Sequence, residues 1–159
     1  CTNTSSPVAY CFVFVFFGFV SVLGSLFLYG KSLFPAAVLP AATIGLLSTA
    51  VLNLNNMRDL DSDRKAGKLT LAVMLGASRA RIYHLVLILG SMVCLIAFIS
   101  LYARSIWQWT PLIAFVPLIG HMFRIYSIKH PGELDPELKK IALSTFLLAL
   151  LFYFTYYFL

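Results

Sequence analysis

The residues in this chain best suited to chemistry are three aspartates, Asp59, Asp61 and Asp63, which lie close together in the sequence. They are half of the six acidic residues in the chain, and they follow directly on a long apolar segment. Carboxylates at the end of a membrane helix can hold Mg²⁺ without the full cost of burying a charge in hydrocarbon. Because Mg²⁺ commonly binds phosphate oxygens, the cluster predicts a cation site that handles a diphosphate.

The spacing of the aspartates predicts which of them share a face. If the preceding helix continues for about two turns beyond the membrane surface, one arc of roughly 100° carries four polar side chains, and Asp61 points the other way. Those four are Asn55, Asn56, Asp59 and Asp63. Carboxylates at i and i+4 repel each other on a bare helix, so this face favours a cation bound between them and a ligand.

A glycine and a lysine follow the aspartates. Gly67 lets the backbone turn, and Lys68 can then bring a positive charge back toward a bound phosphate. The alternative interpretation is that the aspartates are solvated loop charges and that Arg58, Arg64 and Lys65 are only topology signals. The two asparagines before the aspartates and Gly67-Lys68 after them favour the binding site.

Composition places the chain in a membrane. Hydrophobic residues make up 60% and charged residues 11%, with a mean hydropathy of +0.89, whereas soluble domains carry about 25% charged residues. The predicted partner is therefore the lipid bilayer, and the net charge of +6 reflects topology rather than nucleic-acid binding. We expect residues 1–159 to be a single transmembrane domain cut from a larger one, because Cys1 opens the chain without an initiator Met or a basic signal region.

Continuous apolar runs of about 20 residues, the length that crosses a bilayer, predict an all-α, polytopic bundle of five spans. They are Val8 to Tyr29, Pro35 to Leu54, Ile82 to Ala103, Ile106 to Tyr126 and Ile141 to Leu159. The connections on one side, with Lys129 among them, carry ten Lys and Arg residues, and those on the other carry only Lys31 and Arg104. The positive-inside rule therefore predicts a multi-pass protein whose aspartate-rich loop is cytoplasmic.

The run NNMRDLDSDRKAGKLTLAVMLG at residues 55–76 resembles the second aspartate-rich motif of the intramembrane aromatic prenyltransferases, a DxxxD followed by GK and TLAVxLG. The resemblance extends to residues 17–24, 45–53 and 81–84. Within that family the chain is most similar to the branch that acts on 1,4-dihydroxy-2-naphthoate in menaquinone biosynthesis.

The resemblance implies a nine-helix fold around a central cavity, with the present spans as the last five, in the bacterial inner membrane. It also implies Mg²⁺-dependent transfer of a polyprenyl group from polyprenyl diphosphate to 1,4-dihydroxy-2-naphthoate, with decarboxylation to a demethylmenaquinone. The residues that take these roles by resemblance are Asp59 and Asp63 for metal binding and catalysis, Lys68 for catalysis and diphosphate binding, and Arg58, Asn55 and Asn56 for diphosphate binding or support.

The first aspartate-rich motif of that family, an Asn-Asp-x-x-Asp sequence, does not occur in residues 1–159. We therefore expect a missing N-terminal half to carry it, and we expect the chain to be inactive alone. The acidic residues of the last loop, Glu133, Asp135 and Glu137, are expected to be solvated.

Two alternatives stay open. Prenyltransferases for other aromatic acceptors, such as 4-hydroxybenzoate, share the fold and DxxxD, and a non-enzymatic membrane carrier or scaffold could use the aspartates to bind a cation or only to set topology. Predicted spans free of Asp and Glu favour surface-side catalysis over transport. Of the histidines, His84 is expected at the membrane interface, whereas His121 and His130 lack spaced partners and are expected to be structural.

Overall fold

A computed structural model describes residues 6–30, 32–128 and 130–157. All regular secondary structure in these residues is helical, which confirms the predicted all-α class. Cys1, Lys31, Lys129 and the predicted end of the last span at Leu159 lie outside the described residues.

Seven α-helices and four π-helical or 3₁₀ segments follow one another along the described residues. The α-helices are α1 (Ser6–Val13), α2 (Ser21–Gly30), α3 (Val38–Arg58), α4 (Leu60–Lys65), α5 (Leu71–Tyr102), α6 (Val116–Ser127) and α7 (Leu134–Tyr157). A π-helical stretch, Phe14–Val20, joins α1 to α2. The 3₁₀ segments Pro35–Ala37, Ile106–Phe115 and Pro131–Glu133 precede α3, α6 and α7.

Five segments of the described chain are long and apolar enough to cross a membrane, as predicted. They are Pro7–Gly30, Pro35–Arg58, Leu71–Tyr102, Ile106–Ser127 and Pro131–Tyr156. The third begins at Leu71 rather than Ile82, and the fifth at Pro131 rather than Ile141. The added part of the third segment is joined to the rest through a kink at Gly76, whose φ of 75° and ψ of 162° are not helical, whereas the fifth begins with Pro131–Glu133 and the polar first turn of α7. The start of α5 is fixed by Thr70, whose side chain accepts from the Val73 N–H at 3.2 Å.

The first spanning segment packs on α3 through two glycines. A Cβ added to Gly18 would lie 2.7 Å from the Ala41 carbonyl oxygen, and one added to Gly45 would lie 2.7 Å from the Phe14 carbonyl oxygen. Small residues let membrane helices approach this closely. The backbones of Phe14–Val20 and α3 therefore touch directly, which fixes the first segment against the helix that leads to the aspartates.

Helix α3 is the central element of the bundle. It contacts the first segment, α5 and α7, and Leu47, Ala50 and Leu54 are completely buried in it. Large apolar side chains elsewhere, such as Phe12 and Leu143, are exposed, as contact with lipid tails requires. Because the aspartates follow α3, the fold places them at the end of its most deeply packed spanning segment.

Candidate active site

The aspartate-rich segment does not continue α3 as one unbroken helix, so this part of the prediction is wrong. Helix α3 ends at Arg58, Asp59 has φ −90° and ψ 7°, and α4 begins at Leu60. The break is local, however. The Asp59 N–H donates to the Asn55 carbonyl at 3.1 Å, and the Asp63 N–H donates to the Asp59 carbonyl at 2.8 Å. These i to i+4 bonds keep Asn55, Asp59 and Asp63 one turn apart along the chain.

The aspartates differ in burial. Asp63 is buried at 7% exposure, Asp59 is partly exposed, and Asp61 is exposed. The predicted separation of Asp61 from Asp63 therefore agrees with their surroundings. Asp63 is not a freely solvated loop charge, because its side chain is only 10% exposed and Lys68 Nζ lies 3.3 Å from its Oδ1.

Arg58 connects Asp59 to the last helix. Its Nε donates to Asp59 Oδ1 at 2.9 Å and its Nη2 donates to Asp59 Oδ2 at 3.0 Å, while Nη1 donates to Asp135 Oδ1 at 3.1 Å. The hydrogen bonds from the guanidinium hold the pKa of Asp59 below its usual range. Arg58, predicted as a diphosphate contact, thus bridges two carboxylates in this structure.

Lys68 returns to Asp63 through a turn at Gly67. Gly67 has a φ of +70°, a conformation that glycine adopts without steric cost, so the predicted turn is confirmed. The Lys68 N–H donates to the Asp63 carbonyl at 2.9 Å, and Lys68 Nζ lies 3.3 Å from Asp63 Oδ1. Lys68 is 60% exposed on its side chain, so its ammonium group is held near the site and remains open to an anion.

The two predicted supporting asparagines have different surroundings. Asn56 donates to the Tyr10 hydroxyl at 3.0 Å, and that hydroxyl donates to Asn53 Oδ1 at 3.1 Å. Asn53 is completely buried and donates to the Ala80 carbonyl at 3.0 Å. Asn56 therefore helps to hold α1, α3 and α5 together, and sequence reasoning missed Tyr10 and Asn53 because their contacts are far apart along the chain.

Asn55 faces a cavity instead. It lines a space of about 440 Å³ between the first segment, α3 and α7, together with apolar side chains that include Phe17, Val51 and Leu138. Ser48 and Thr145 also line it. An amide at the aspartate end and mostly apolar walls beyond it are the features that an amphipathic lipid ligand needs.

The donor set of the two predicted metal ligands suits Mg²⁺. Mg²⁺ prefers oxygen, takes one or two protein carboxylates, and completes its octahedron with water and phosphate oxygens. Among the residues that the structure describes, no group of three or more His, Cys, Asp or Glu side chains could hold a metal. Asp59 and Asp63 would therefore hold the ion together with oxygens from a diphosphate, from water or from a further part of the protein.

The model of the UbiA prenyltransferase family matches residues 2–145 of this chain. The chain belongs to the UbiA prenyltransferase family. This assignment confirms the resemblance drawn from residues 55–76.

Three bacterial proteins that share one name are similar to this chain in sequence. The chain is 44% identical over 140 residues to the 1,4-dihydroxy-2-naphthoate octaprenyltransferase of Escherichia coli K12, covering 88% of this chain and 46% of that protein. The Haemophilus influenzae protein of the same name is 40% identical with the same coverage, and that of Mycobacterium leprae is 30% identical over 90% of this chain and 49% of its own length. The chain spans about half the length of these relatives. No solved structure matches it.

A second polar group in this UbiA-family chain contradicts two predictions. Glu137 is 1% exposed, and His84 is completely buried, so neither is solvated or interfacial as expected. His121 has partners on both ring nitrogens, with Nε2 2.8 Å from His84 Nε2 and Nδ1 2.6 Å from Glu137 Oε2. His130 and Glu133 are exposed. The exposure of Glu133 agrees with the prediction that it is solvated.

Sequence spacing could not reveal this group, which we call the buried cluster: His84, His121 and Glu137. Its members come from α5, α6 and α7, and helical periodicity relates only residues within one helix. One signal was present, since Glu137 and Lys140 stand at i and i+3 and an ionisable residue at the edge of a span usually has a partner. The polar start of the last helix hid that signal, because it lies outside the apolar run.

Proposed function

We propose that the protein carrying this chain transfers a polyprenyl group from polyprenyl diphosphate to 1,4-dihydroxy-2-naphthoate, with loss of CO₂, and yields a demethylmenaquinone. Family membership and the names of relatives that are 40–44% identical support this substrate pair. The observation that carries the proposal is the aspartate pair at the end of α3, where Arg58 and Lys68 each lie on one carboxylate.

The reaction begins at the allylic C–O bond of the prenyl diphosphate. As this bond breaks, its electron pair passes to the diphosphate oxygen, and the allylic carbon forms a bond to the electron-rich naphthoate ring carbon that loses CO₂. Mg²⁺ held by Asp59 and Asp63 would neutralise the charge that develops on the leaving diphosphate. The two carboxylates would hold that positive charge at the end of α3, one turn and two turns beyond Asn55, which lines the cavity.

Arg58 and Lys68 exchange partners in this proposal. Each now neutralises an aspartate, and a diphosphate carries more negative charge than either carboxylate. When diphosphate binds, Lys68 moves from Asp63 to a phosphate oxygen, and the guanidinium of Arg58 turns part of its donor set to the same ligand. The exchange frees carboxylate oxygens of Asp59 and Asp63 for the metal.

The apolar cavity suits the prenyl chain. Beyond Asn55 its walls between the first segment, α3 and α7 are mostly apolar, with Ser48 and Thr145 as the hydroxyl-bearing exceptions, so the prenyl chain can leave water while the diphosphate stays at the aspartates. We place the protein in the bacterial inner membrane with the aspartate-rich loop in the cytoplasm, in accord with the bacterial relatives and with the asymmetry of Lys and Arg residues.

The test of this function uses the full-length protein, meaning the polypeptide that carries this chain and the rest of the family domain. Purified in detergent with Mg²⁺ and a polyprenyl diphosphate, it should prenylate 1,4-dihydroxy-2-naphthoate and release CO₂, both measured by mass spectrometry. Equal or faster prenylation of 4-hydroxybenzoate would replace the proposed acceptor with that alternative. Absence of transfer to any aromatic acceptor would overturn the proposal.

A further inference from the structure

The start of α7 holds two acidic side chains that face different partners. Glu137 points into the bundle, whereas Asp135 lies at the surface and accepts from Arg58 Nη1 at 3.1 Å. Because the two residues share the first turn of one helix, a constraint on the position of Glu137 also constrains Asp135. The aspartate-rich segment is thereby connected to the last helix through Arg58.

Glu137 is fixed by donors from two helices. Its Oε2 accepts from His121 Nδ1 at 2.6 Å, and Lys140 Nζ donates to Oε1 at 2.8 Å and to Oε2 at 2.9 Å. Arg124 Nε lies 3.4 Å from Oε1. A carboxylate that is 1% exposed and has this many charged or polar donors cannot move without leaving buried groups unpaired.

The histidine pair extends the constraint to α5. Since Nδ1 of His121 donates to Glu137, the Nε2 of a neutral His121 accepts, and the Nε2–H of His84 donates to it across 2.8 Å. Both rings are completely buried. One hydrogen-bonded line therefore runs from α5 through α6 to the first turn of α7.

The contact between Arg58 and Asp135 needs such support. The two side chains are 30% and 56% exposed, and an exposed ion pair gains little because ordering two long side chains in water offsets the attraction. The backbone of Asp135 does not have to be ordered for this contact, since its helical turn is already fixed by Glu137, so only its short side chain must be. Arg58 then meets a preorganised acceptor on one side and Asp59 on the other.

We propose that the buried cluster and Asp135 form a positioning device for the diphosphate site. Glu137, held by His121 and His84, places Asp135, and Asp135 holds the guanidinium of Arg58 in the orientation that aligns Asp59. This inference rests on the proposed function, in that the aligned group is the diphosphate-binding end of α3. Glu137 and Asp135 act through Arg58 and do not touch the substrate.

The test compares three variants of the full-length protein: Asp135→Asn, Glu137→Gln and, as a matched control at the exposed end of the 3₁₀ segment just before α7, Glu133→Gln. Glu137→Gln keeps the shape of the side chain and an oxygen acceptor for His121, so it preserves packing. We expect Asp135→Asn and Glu137→Gln to raise the KM for polyprenyl diphosphate about 5-fold to 10-fold, with kcat changed less than about 2-fold, because preorganisation acts on binding. Glu133→Gln should match the parent. A purely structural role would lower the amount of active enzyme and leave KM unchanged, which would overturn the proposal.

A second measurement does not depend on activity. Hydrogen exchange followed by mass spectrometry should show faster exchange of backbone amides in residues 55–66 in Asp135→Asn and Glu137→Gln than in the parent or Glu133→Gln. Faster exchange in a protein that transfers no prenyl group would retain the positioning device and reject the proposed function. Unchanged exchange and unchanged KM in an active enzyme would reject the positioning device alone.

Discussion

Two groups of carboxylates in this bundle differ in what surrounds them. Asp59 and Asp63 each lie beside one cation at the end of α3, and Lys68 remains 60% exposed while it contacts Asp63. Glu137 is 1% exposed and shares its oxygens among donors from α6 and α7. Water or a ligand can replace the partner of the first pair, whereas loss of a partner in the buried cluster leaves a charge unpaired in an apolar interior. The ion pairs of Asp59 and Asp63 can therefore exchange their partners for a ligand, whereas those of Glu137 hold α6 and α7 together.

Removal of the exchangeable carboxylates should abolish most of the activity. Asp59→Ala or Asp63→Ala in the full-length protein should lower prenyl transfer by about 1000-fold, because the developing charge on diphosphate loses its electrostatic stabilisation. Thermal unfolding should change little. Initial rates at saturating Mg²⁺ are the measurement, and the exposed neighbour in Asp61→Ala serves as the matched control. Equal losses at all three positions, or no loss at any, would mean that these aspartates do not form the site.

The buried cluster should respond in the opposite way. Glu137→Ala should reduce the free energy of unfolding by about 2–3 kcal/mol, since His121 and Lys140 lose their acceptor in a buried position. Glu133→Ala, at an exposed position in the 3₁₀ segment that precedes α7, should change it by less than about 0.5 kcal/mol. The measurement is reversible unfolding of the full-length protein in mixed micelles. Equal stability of both variants would show that Glu137 is solvated, as the sequence alone predicted.

Lys68 belongs to the exchangeable group but is not one of the proposed metal ligands. Lys68→Met should raise the KM for polyprenyl diphosphate about 10-fold, the effect of losing one charge-assisted hydrogen bond worth about 1.5 kcal/mol. Lys65→Met, at an exposed position in α4, is the control. Steady-state kinetics with varied prenyl diphosphate measure the effect. If both variants behave alike, Lys68 acts only as a surface charge.

The exchangeable site could be predicted from the sequence because its parts are local. Asp59 and Asp63 are one turn apart in the chain, and Gly67 stands next to the Lys68 that it turns back. Long apolar runs are local as well, so five spans were predicted. The break at Asp59 was missed because it depends on backbone angles and on the guanidinium of Arg58, and periodicity describes neither.

The buried cluster lay beyond sequence reasoning for the opposite reason. His84 and His121 are 37 positions apart, and only the packing of α5 on α6 brings them together. Glu137 stands in a polar stretch whose composition is typical of a solvated loop. Because α7 begins at Leu134 rather than at the predicted Ile141, Glu137 lies on a helix that packs in the bundle. Its burial therefore follows from the length of the helix rather than from local hydropathy.

The ion pair formed by Arg58 and Asp59 should make a small, pH-dependent contribution to stability. The guanidinium holds the pKa of Asp59 below its usual range. The pair therefore adds stability above the ordinary Asp pKa of about 3.9, and this contribution is lost as pH falls through the lower folded value. Since both side chains are partly exposed, the contribution is below about 1 kcal/mol. Asp59→Asn should consequently lose less stability than the parent between about pH 5 and pH 2, with Asp61→Asn as control, measured by thermal unfolding. Coincident curves for Asp59→Asn and the parent would mean that Arg58 does not hold Asp59 in solution, so the site would be open even before a ligand arrives.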